Sequence, residues 1–416
     1  EERFSYAKRI GSVMGAAAGI ATAFNAPIGG ILYMFEEVSI TNWEPELTFR
    51  TFVCTVVGVM ITKGLFNLAG DDVHKLLIYS QTDASSAQWD WLDVPLIVGL
   101  AASVGLLAAL MTRIFAHVWN FRRWMAQRLH KAQPWARIAE VFLCVVVIAL
   151  IHGCVPAVAG CSTYSDKGRH LLADAAWEDG AGRRLATGLS WTQYTCPDGE
   201  HNEMATVLLS GAEGAVKHLF ARGGEHFAIG PLFLSLFVYF SLAICMPGLS
   251  IPMGSFVPSM MIGALCGRIL GEALFKTGVA FADPGVFSMA GSAALLGGFT
   301  HMTIAIVALL AEAAHDLSLV PLLMLSIFVS HAFVKLCNHH GYDEILILAK
   351  GVPFLESELP QSLAISNCTA RTLCETGGRG IVQPLPVMCP VNLLMEALKH
   401  ELATHFPVVE GDICLG

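Results

Sequence analysis

The sequence predicts an all-α membrane protein that crosses the bilayer several times, with some of its helices broken. Of its residues, 54% are hydrophobic and only 14% are charged, whereas soluble proteins carry about 25% charged residues. The mean hydropathy is +0.59. The apolar segments vary in length and are interrupted by Gly or Pro, which is typical of transporters and channels.

The first apolar segment is broken near its middle. Gly11, Gly15 and Gly19 lie four residues apart, a spacing that favours close contact between helices. Asn25 is then placed to cap, and Pro27 to open, a second helix that ends in two glutamates. The predicted apolar helices are Ile28–Phe35, Leu47–Phe66, Trp91–Val118, Glu140–Val155, Pro231–Met246, Phe287–Phe299, Met302–Ala314 and Leu319–Leu336, with Gly297–Gly298 separating the Phe287 and Met302 helices.

The charged connections orient the chain. Residues 113–137 carry five arginines and a lysine but no carboxylate, so the positive-inside rule places this connection in the cytoplasm. The next connection, Pro156–Glu200, then lies on the opposite side. A disulfide between Cys161 and Cys196 and two unpaired thiols are both open there. Asn202–Phe220 has helical periodicity with charges on one face, which favours a helix lying against the protein.

The composition changes after the last apolar helix. Tyr342–Lys350 is predicted as a short helix, and the region that follows is polar. Leu385–Gly416 shows the pattern of a soluble β-α-β fragment, with a helix at Val391–Leu402 and a strand at His405–Glu410. Because the sequon at Asn367 falls on the predicted cytoplasmic side, we expect no glycan there.

Met246–Glu272 contains the most informative break. Its first half is rich in Pro and Gly, and the pattern becomes helical from Pro258 onward. A membrane helix that begins part-way through the bilayer aims free N–H groups and a partial positive charge at a cavity, which is an anion site made of backbone. On this stretch alone, a Pro/Gly-rich loop between two ordinary helices is equally open.

Several motifs resemble those of one family. Phe24–Val38 (FNAPIGGILYMFEEV) and Gly254–Arg268 (GSFVPSMMIGALCGR) are similar to signature motifs of the chloride channel/transporter (CLC) family. Tyr342 resembles its final-helix tyrosine, and Met302-Thr303 with Glu312, a carboxylate inside an apolar run, fits its next-to-last helices. The resemblance implies the CLC-type inverted-repeat fold over residues 1–355, then a linker and a partial α/β CBS domain over 356–416. Gln193–Leu209 is similar to the intracellular branch, found in endosomal, lysosomal and vacuolar membranes.

The resemblance also implies the anion site. The amides of Ser255 and Phe256 donate to the anion, with Val257 assisting, while Gly254 lets the backbone approach closely. The hydroxyl of Tyr342 adds a further donor. Partial positive charge without a cationic side chain suits chloride, because a Lys or Arg would hold the ion too long for turnover. A helix cap packed in protein and, for Tyr342, a tyrosine at the membrane interface are the ordinary alternatives.

The pair Glu36–Glu37 bears on whether the protein is an exchanger or a channel. Two carboxylates at a helix end can simply be solvated, but the resemblance assigns Glu37 as the internal proton-transfer glutamate of exchangers, where the family's channels have an apolar residue. A carboxylate in a partly dry site binds a proton more readily than one in water. By the same analogy, Glu36 shapes the water path.

The family's external gating glutamate has no counterpart in this sequence, so a fragment and a naturally truncated protein are both open. The abrupt end inside the CBS-like region favours a fragment. The resemblance implies exchange of chloride, or another small anion such as nitrate, for protons, by a homodimer in an organelle membrane with a cytoplasmic C-terminus. A passive channel and a transport-dead regulatory or assembly subunit are the alternatives. No enzyme, zinc or other metal constellation, cofactor or nucleic-acid site is predicted; nucleotide binding by the CBS region is open.

Overall fold

The computed structural model divides into two units, Glu1–Phe354 and Leu355–Gly416. The described residues are 2–38, 43, 45–69, 89–128, 133–163, 176–178, 184–186, 191–197, 200–222, 226–249, 251, 254–314, 316–350, 385–386, 408–410 and 413–414. The second unit is described only as three short strands. The predicted CBS fold, its helix at Val391–Leu402 and the sequon at Asn367 lie outside these residues.

The first unit is helical, as predicted. Its α-helices are α1 (Glu2–Phe24), α2 (Pro27–Val38), α3 (Pro45–Ala69), α4 (Val94–Arg128), α5 (Gln133–Cys154), α6 (Glu203–Leu209), α7 (Gly211–Phe220), α8 (Ile229–Cys245), α9 (Phe256–Thr277), α10 (Pro284–Thr300), α11 (Ile304–Ala314), α12 (Val320–Cys337) and α13 (Tyr342–Lys350). Short 3₁₀ turns follow α5, at Val155–Val158, and precede α12, at Leu317–Leu319.

Several helices are suited to a bilayer. Within the described residues, five helical stretches are long and apolar enough to cross a membrane: Glu46–Leu68, Val94–Met125, Arg137–Val158, Phe256–Thr277 and Leu317–Lys350. Large apolar side chains on α3 and α5 are exposed, for example Met60 and Phe142. An apolar surface on this scale requires lipid or other protein around it, so this is a multi-pass membrane chain.

The core is centred on α10, in which every residue is buried. Its neighbour α9 approaches so closely that a Cβ on Gly267 would overlap the carbonyl oxygen of Phe287, and a Cβ on Gly263 would lie 2.5 Å from the oxygen of Gly291. Contact between backbones at this distance is possible only at glycine. The middle of α9 is therefore packed tightly against α10.

A buried ion pair lies in the second half of α9. Arg268 and Glu272 have fully buried side chains, with Arg268 Nε 3.1 Å from Glu272 Oε1. Arg268 also donates to the carbonyl oxygens of Leu219 and Ala221, at 2.9 and 2.8 Å. Two buried charges are tolerated when they are paired and hydrogen-bonded in this way.

Three local predictions were wrong. Asn25 adopts a left-handed conformation (φ 50°) that ends α1 and does not open α2 as a cap. Gly297–Gly298 lies inside α10, and the chain turns instead at His301 (φ 65°). The predicted helix Asn202–Phe220 is two helices, because the chain changes direction at Gly211 (φ 77°).

Gly11, Gly15 and Gly19 were expected to form a close helix contact. Space for a Cβ is open at all three, with no described atom within 4 Å. The part of the chain that the structure describes therefore leaves this face of α1 uncovered.

The connection between α5 and α6 is cross-linked. Cys161 and Cys196 form a disulfide, with their Cα atoms 5.7 Å apart, so of the two open alternatives the bridge is the one found. The adjacent strands β1 (Ser162–Thr163) and β4 (Glu200–His201) pair antiparallel, as do β2 (Ala176–Glu178) and β3 (Arg184–Ala186).

In the second unit, β5 (Leu385–Pro386) pairs parallel with β6 (Val408–Glu410), and β6 pairs antiparallel with β7 (Ile413–Cys414). The strand β6 falls inside the predicted strand His405–Glu410. The predicted helix between these strands lies outside the described residues, so the β-α-β order stays a prediction.

Candidate anion and proton site

The first turn of α9 presents backbone donors. The side chain of Ser255 precedes the helix and makes no capping hydrogen bond. The carbonyl oxygen of Ser255 accepts from the amide and hydroxyl of Ser259, at 3.1 and 2.9 Å. First-turn amides of a helix have no acceptor within the helix, so the amides of Phe256 and Val257 point beyond its end.

Gly254 was expected to let the backbone approach the anion. It is exposed, and no described atom lies within 4 Å of a Cβ built on it. The space in front of the α9 turn is thus open within the described chain, and a small anion could reach the first-turn amides.

The two Pro-containing breaks meet at this turn. The ring of Phe256 lies 5.1 Å from that of Phe24, the last residue of α1, and 6.0 Å from that of Tyr33 on α2, both edge-on. Edge-to-face pairs of this kind stabilise one relative orientation of the rings. The start of α9 is therefore fixed against the α1–α2 break.

Glu37 lies on the same helix as Tyr33, one turn further along. Its carboxyl group lies beside that of Asp343 on α13, and Tyr33 lies within electrostatic range of both. Two carboxyl groups side by side can share a proton. Proton transfer through Glu37 stays a prediction.

Tyr342 is buried and begins α13, directly before Asp343. Its ring stacks on Phe299, with centroids 4.5 Å apart, and meets Phe115 edge-on at 5.5 Å. Among the described residues, no hydrogen bond joins Tyr342 to the turn at 255–257. Donation by its hydroxyl to an anion therefore stays a prediction.

Glu36 has a different set of partners from Glu37. Its carboxylate accepts from the amides of Thr303, Ile304 and Ala305, at 2.9, 2.9 and 3.1 Å, and from the hydroxyl of Thr303 at 2.8 Å. It is the N-terminal cap of α11. Its expected influence on a water path stays a prediction, and its observed contacts are with backbone.

Glu312 forms the matching contact in the opposite direction. Its carboxylate accepts from the amides of Ile28 and Gly29 at the start of α2, at 3.2 and 2.8 Å. A carboxylate inside an apolar run needs a partner within the protein, but the sequence did not show which residue that partner is. Asp343 was not predicted at all, although its position next to Tyr342 on the predicted helix was a usable signal.

Within the described part of the chain, no group of three or more His, Cys, Asp or Glu side chains is arranged to hold a metal ion. The donors that the structure brings together are backbone amides and carboxyl groups. They suit a small anion and a proton.

Comparison with known proteins agrees with this chemistry. Residues 3–335 match the family model described as "Voltage gated chloride channel". Relatives include chloride channel protein C of Dictyostelium discoideum, 28% identical over 96% of this chain and 50% of that protein. The human H(+)/Cl(−) exchange transporter 7 is 29% identical over 95% of this chain and 46% of that protein. The chain thus spans about half the length of the curated relatives it matches.

Solved structures show the same fold. A crystal structure of a eukaryotic CLC transporter has a TM-score of 0.55 at 20% identity, covering 96% of this chain and 57% of that one. The structure of a slow cyanobacterial Cl⁻/H⁺ antiporter has a TM-score of 0.58 at 16% identity, covering 82% and 65%. At these identities the likeness establishes the architecture.

Proposed function

The chain belongs to the voltage-gated chloride channel (CLC) family, and on that premise we propose that the protein exchanges chloride, or another small anion such as nitrate, for protons across a membrane. The observation that carries this proposal is the contact between the two Pro-containing breaks, where the ring of Phe256 lies 5.1 Å from that of Phe24 and 6.0 Å from that of Tyr33. It places the helix that carries Glu37 against the expected anion site. The names of the human relative and of the cyanobacterial structure, an exchange transporter and an antiporter, support the same activity.

In this proposal, the anion binds at the first turn of α9. The amides of Ser255, Phe256 and Val257 donate to it, and the hydroxyl of Tyr342 adds a donor from α13. Because the helix end supplies only a partial positive charge, the ion is attracted but can still leave.

The proton follows a separate branch through Glu37. Glu37 takes up a proton from the cytoplasmic side, and the carboxyl group of Asp343 beside it can share that proton. The cap that Glu36 forms on α11 fixes the neighbouring Glu37 opposite Asp343. As in the family, the protein forms a homodimer with one pathway per subunit, in an endosomal, lysosomal or vacuolar membrane with its C-terminus in the cytoplasm.

The test is reconstitution of the full-length protein in liposomes, with chloride and proton fluxes measured together. Coupled exchange gives a reversal potential that moves with the pH gradient, and Glu37→Ala should retain anion flux but lose proton flux. The matched control is Glu46→Ala, an exposed carboxylate on α3 that pairs with Arg50. It should leave coupling unchanged.

Other outcomes would refute the proposal. An anion current whose reversal potential ignores the pH gradient indicates a passive channel. Absence of any flux from correctly folded protein indicates a transport-dead subunit. Intact coupling in Glu37→Ala would exclude Glu37 as the proton-transfer group even if exchange itself is found.

A further inference from the structure

A basic cavity of about 440 Å³ lies where the end of α4, the start of α5 and the end of α13 meet. This volume is in the range of small-molecule sites. Four cationic side chains and one carboxylate line it, for a formal charge of +4 − 1 = +3. They are Arg122 and Arg123 of α4, Arg137 and Glu140 of α5, and Lys350 of α13, with Trp119 beside them.

Two of these cations form hydrogen bonds with backbone carbonyl groups of the protein. Arg122 donates to the carbonyl oxygen of Cys245 at 2.6 Å, and its Nη1 lies 2.8 Å from Glu140. Arg123 donates to the carbonyl oxygen of Ala349, also at 2.6 Å. The guanidinium groups are therefore fixed in the wall, which reduces the entropy lost when they bind a ligand.

The other two cations are exposed and have no acid partner among the described residues. No ion pair among the described residues includes Arg137 or Lys350, and the ammonium of Lys350 lies 5.8 Å from the ring centre of Trp119. The only carboxylate in the lining is already paired with Arg122. The positive charge of the cavity is thus uncompensated within this part of the chain.

The wall also contains one buried donor for which the described residues supply no acceptor. It is the indole Nε1 of Trp119. Buried donors are almost always satisfied, so this N–H is a candidate donor to an occupant of the cavity.

We propose that this cavity binds a phosphate-bearing polyanion, either the headgroup of a phosphorylated lipid or a soluble organic phosphate. Guanidinium groups match phosphate oxygens in pairs, and an indole N–H supplies a further donor. A net charge of +3 favours a ligand with several negative charges over a single chloride ion. The cavity lies on the side that the positive-inside rule assigns to the cytoplasm, where anionic lipids and soluble phosphates are found.

The test uses the full-length protein in phosphatidylcholine nanodiscs and two probes. The soluble arm titrates inositol 1,4,5-trisphosphate. The lipid arm measures binding of the nanodisc-held protein to phosphatidylcholine vesicles. These vesicles contain phosphatidylinositol 4-phosphate or, at equal total charge, phosphatidylserine. Arg137→Gln and Lys350→Gln should each weaken binding about tenfold, since each removes a charged contact. Both side chains are exposed, so the fold should be retained.

Arg128→Gln is the matched control, because Arg128 belongs to the same basic segment but stacks on Trp124 outside the cavity. It should change binding less than twofold. Trp119→Phe, which keeps a ring but removes the N–H donor, should weaken binding severalfold. Binding in one arm identifies the source of the phosphate, and binding in both shows that the shared group is recognised.

Three results would overturn the proposal. The first is an equal loss in Arg128→Gln and Arg137→Gln, which would indicate general surface charge. The second is equal binding of phosphatidylserine and phosphatidylinositol 4-phosphate vesicles. The third is absence of binding in both arms by folded protein.

Discussion

Replacement of Glu36 by alanine is expected to destabilise the junction between α2 and α11. The substitution removes four hydrogen bonds, three from amides at 2.9 to 3.1 Å and one from the hydroxyl of Thr303. Loss of an N-terminal cap costs about 0.5–2 kcal/mol, and hydrogen bonds to a charged acceptor are at the strong end of the range. Because Glu36 is partly exposed, water can replace some of these bonds. We expect the free energy of unfolding to fall by about 2 kcal/mol.

The assay is reversible unfolding of the full-length protein in detergent, with Glu46→Ala as control. Glu46 makes one exposed ion pair with Arg50, and such pairs contribute about 0–1 kcal/mol. Glu36→Gln, which keeps one acceptor oxygen, should fall between the two. Equal stability of the Glu36→Ala and Glu46→Ala proteins would show that the cap does not stabilise the junction.

Three further predictions follow from other contacts. Asp343→Asn replaces the carboxyl group beside Glu37 with an amide donor that favours the ionised form of Glu37, so, if Glu37 transfers the proton as proposed, the pH of half-maximal proton uptake should become more acid; an unchanged pH profile would contradict this. Gly267→Ala should abolish or strongly reduce folded protein, because its Cβ overlaps a backbone carbonyl, whereas Gly99→Ala, which has open space, should be tolerated in the same expression and thermal-unfolding assay. Cys161→Ser opens a link between residues 35 apart and should lower the free energy of unfolding by about 3–4 kcal/mol, with reductant reproducing the effect in the wild type only.

The sequence predicted the architecture well because the signals for it are local. Apolar runs, prolines in first turns and motif order were sufficient to place the membrane helices, and Tyr342–Lys350 has the predicted bounds. The helix predicted from Pro258 onward was also found, although it starts at Phe256, two residues before the proline.

Predictions failed where contacts with distant parts of the chain, and not the local residues, determine where a helix begins or ends. Gly297 and Gly298 suggested a break, but a Cβ on Gly298 would lie 2.6 Å from the hydroxyl of Ser330, so these glycines permit close packing of α10 against α12. The break occurs at His301, a residue with no strong turn signal. Asn25 has the composition of an N-cap but ends the preceding helix, since the cap of α2 comes from Glu312, 284 residues from its Ile28 donor.

The two carboxylate caps together determine how α2 and α11 are arranged. Glu36, near the C-terminal end of α2, binds the N-terminus of α11, while Glu312, near the C-terminal end of α11, binds the N-terminus of α2. Both contacts can form only if the helices run antiparallel and side by side, and a Cβ on Gly29 would lie 2.7 Å from the Cα of Leu309, which confirms that they touch. Each of these helices follows a helix that ends in a left-handed residue. Two segments thus form the same broken unit in opposite directions, as expected of an inverted repeat, and the capping carboxylate Glu36 is adjacent to Glu37, the glutamate proposed to transfer the proton.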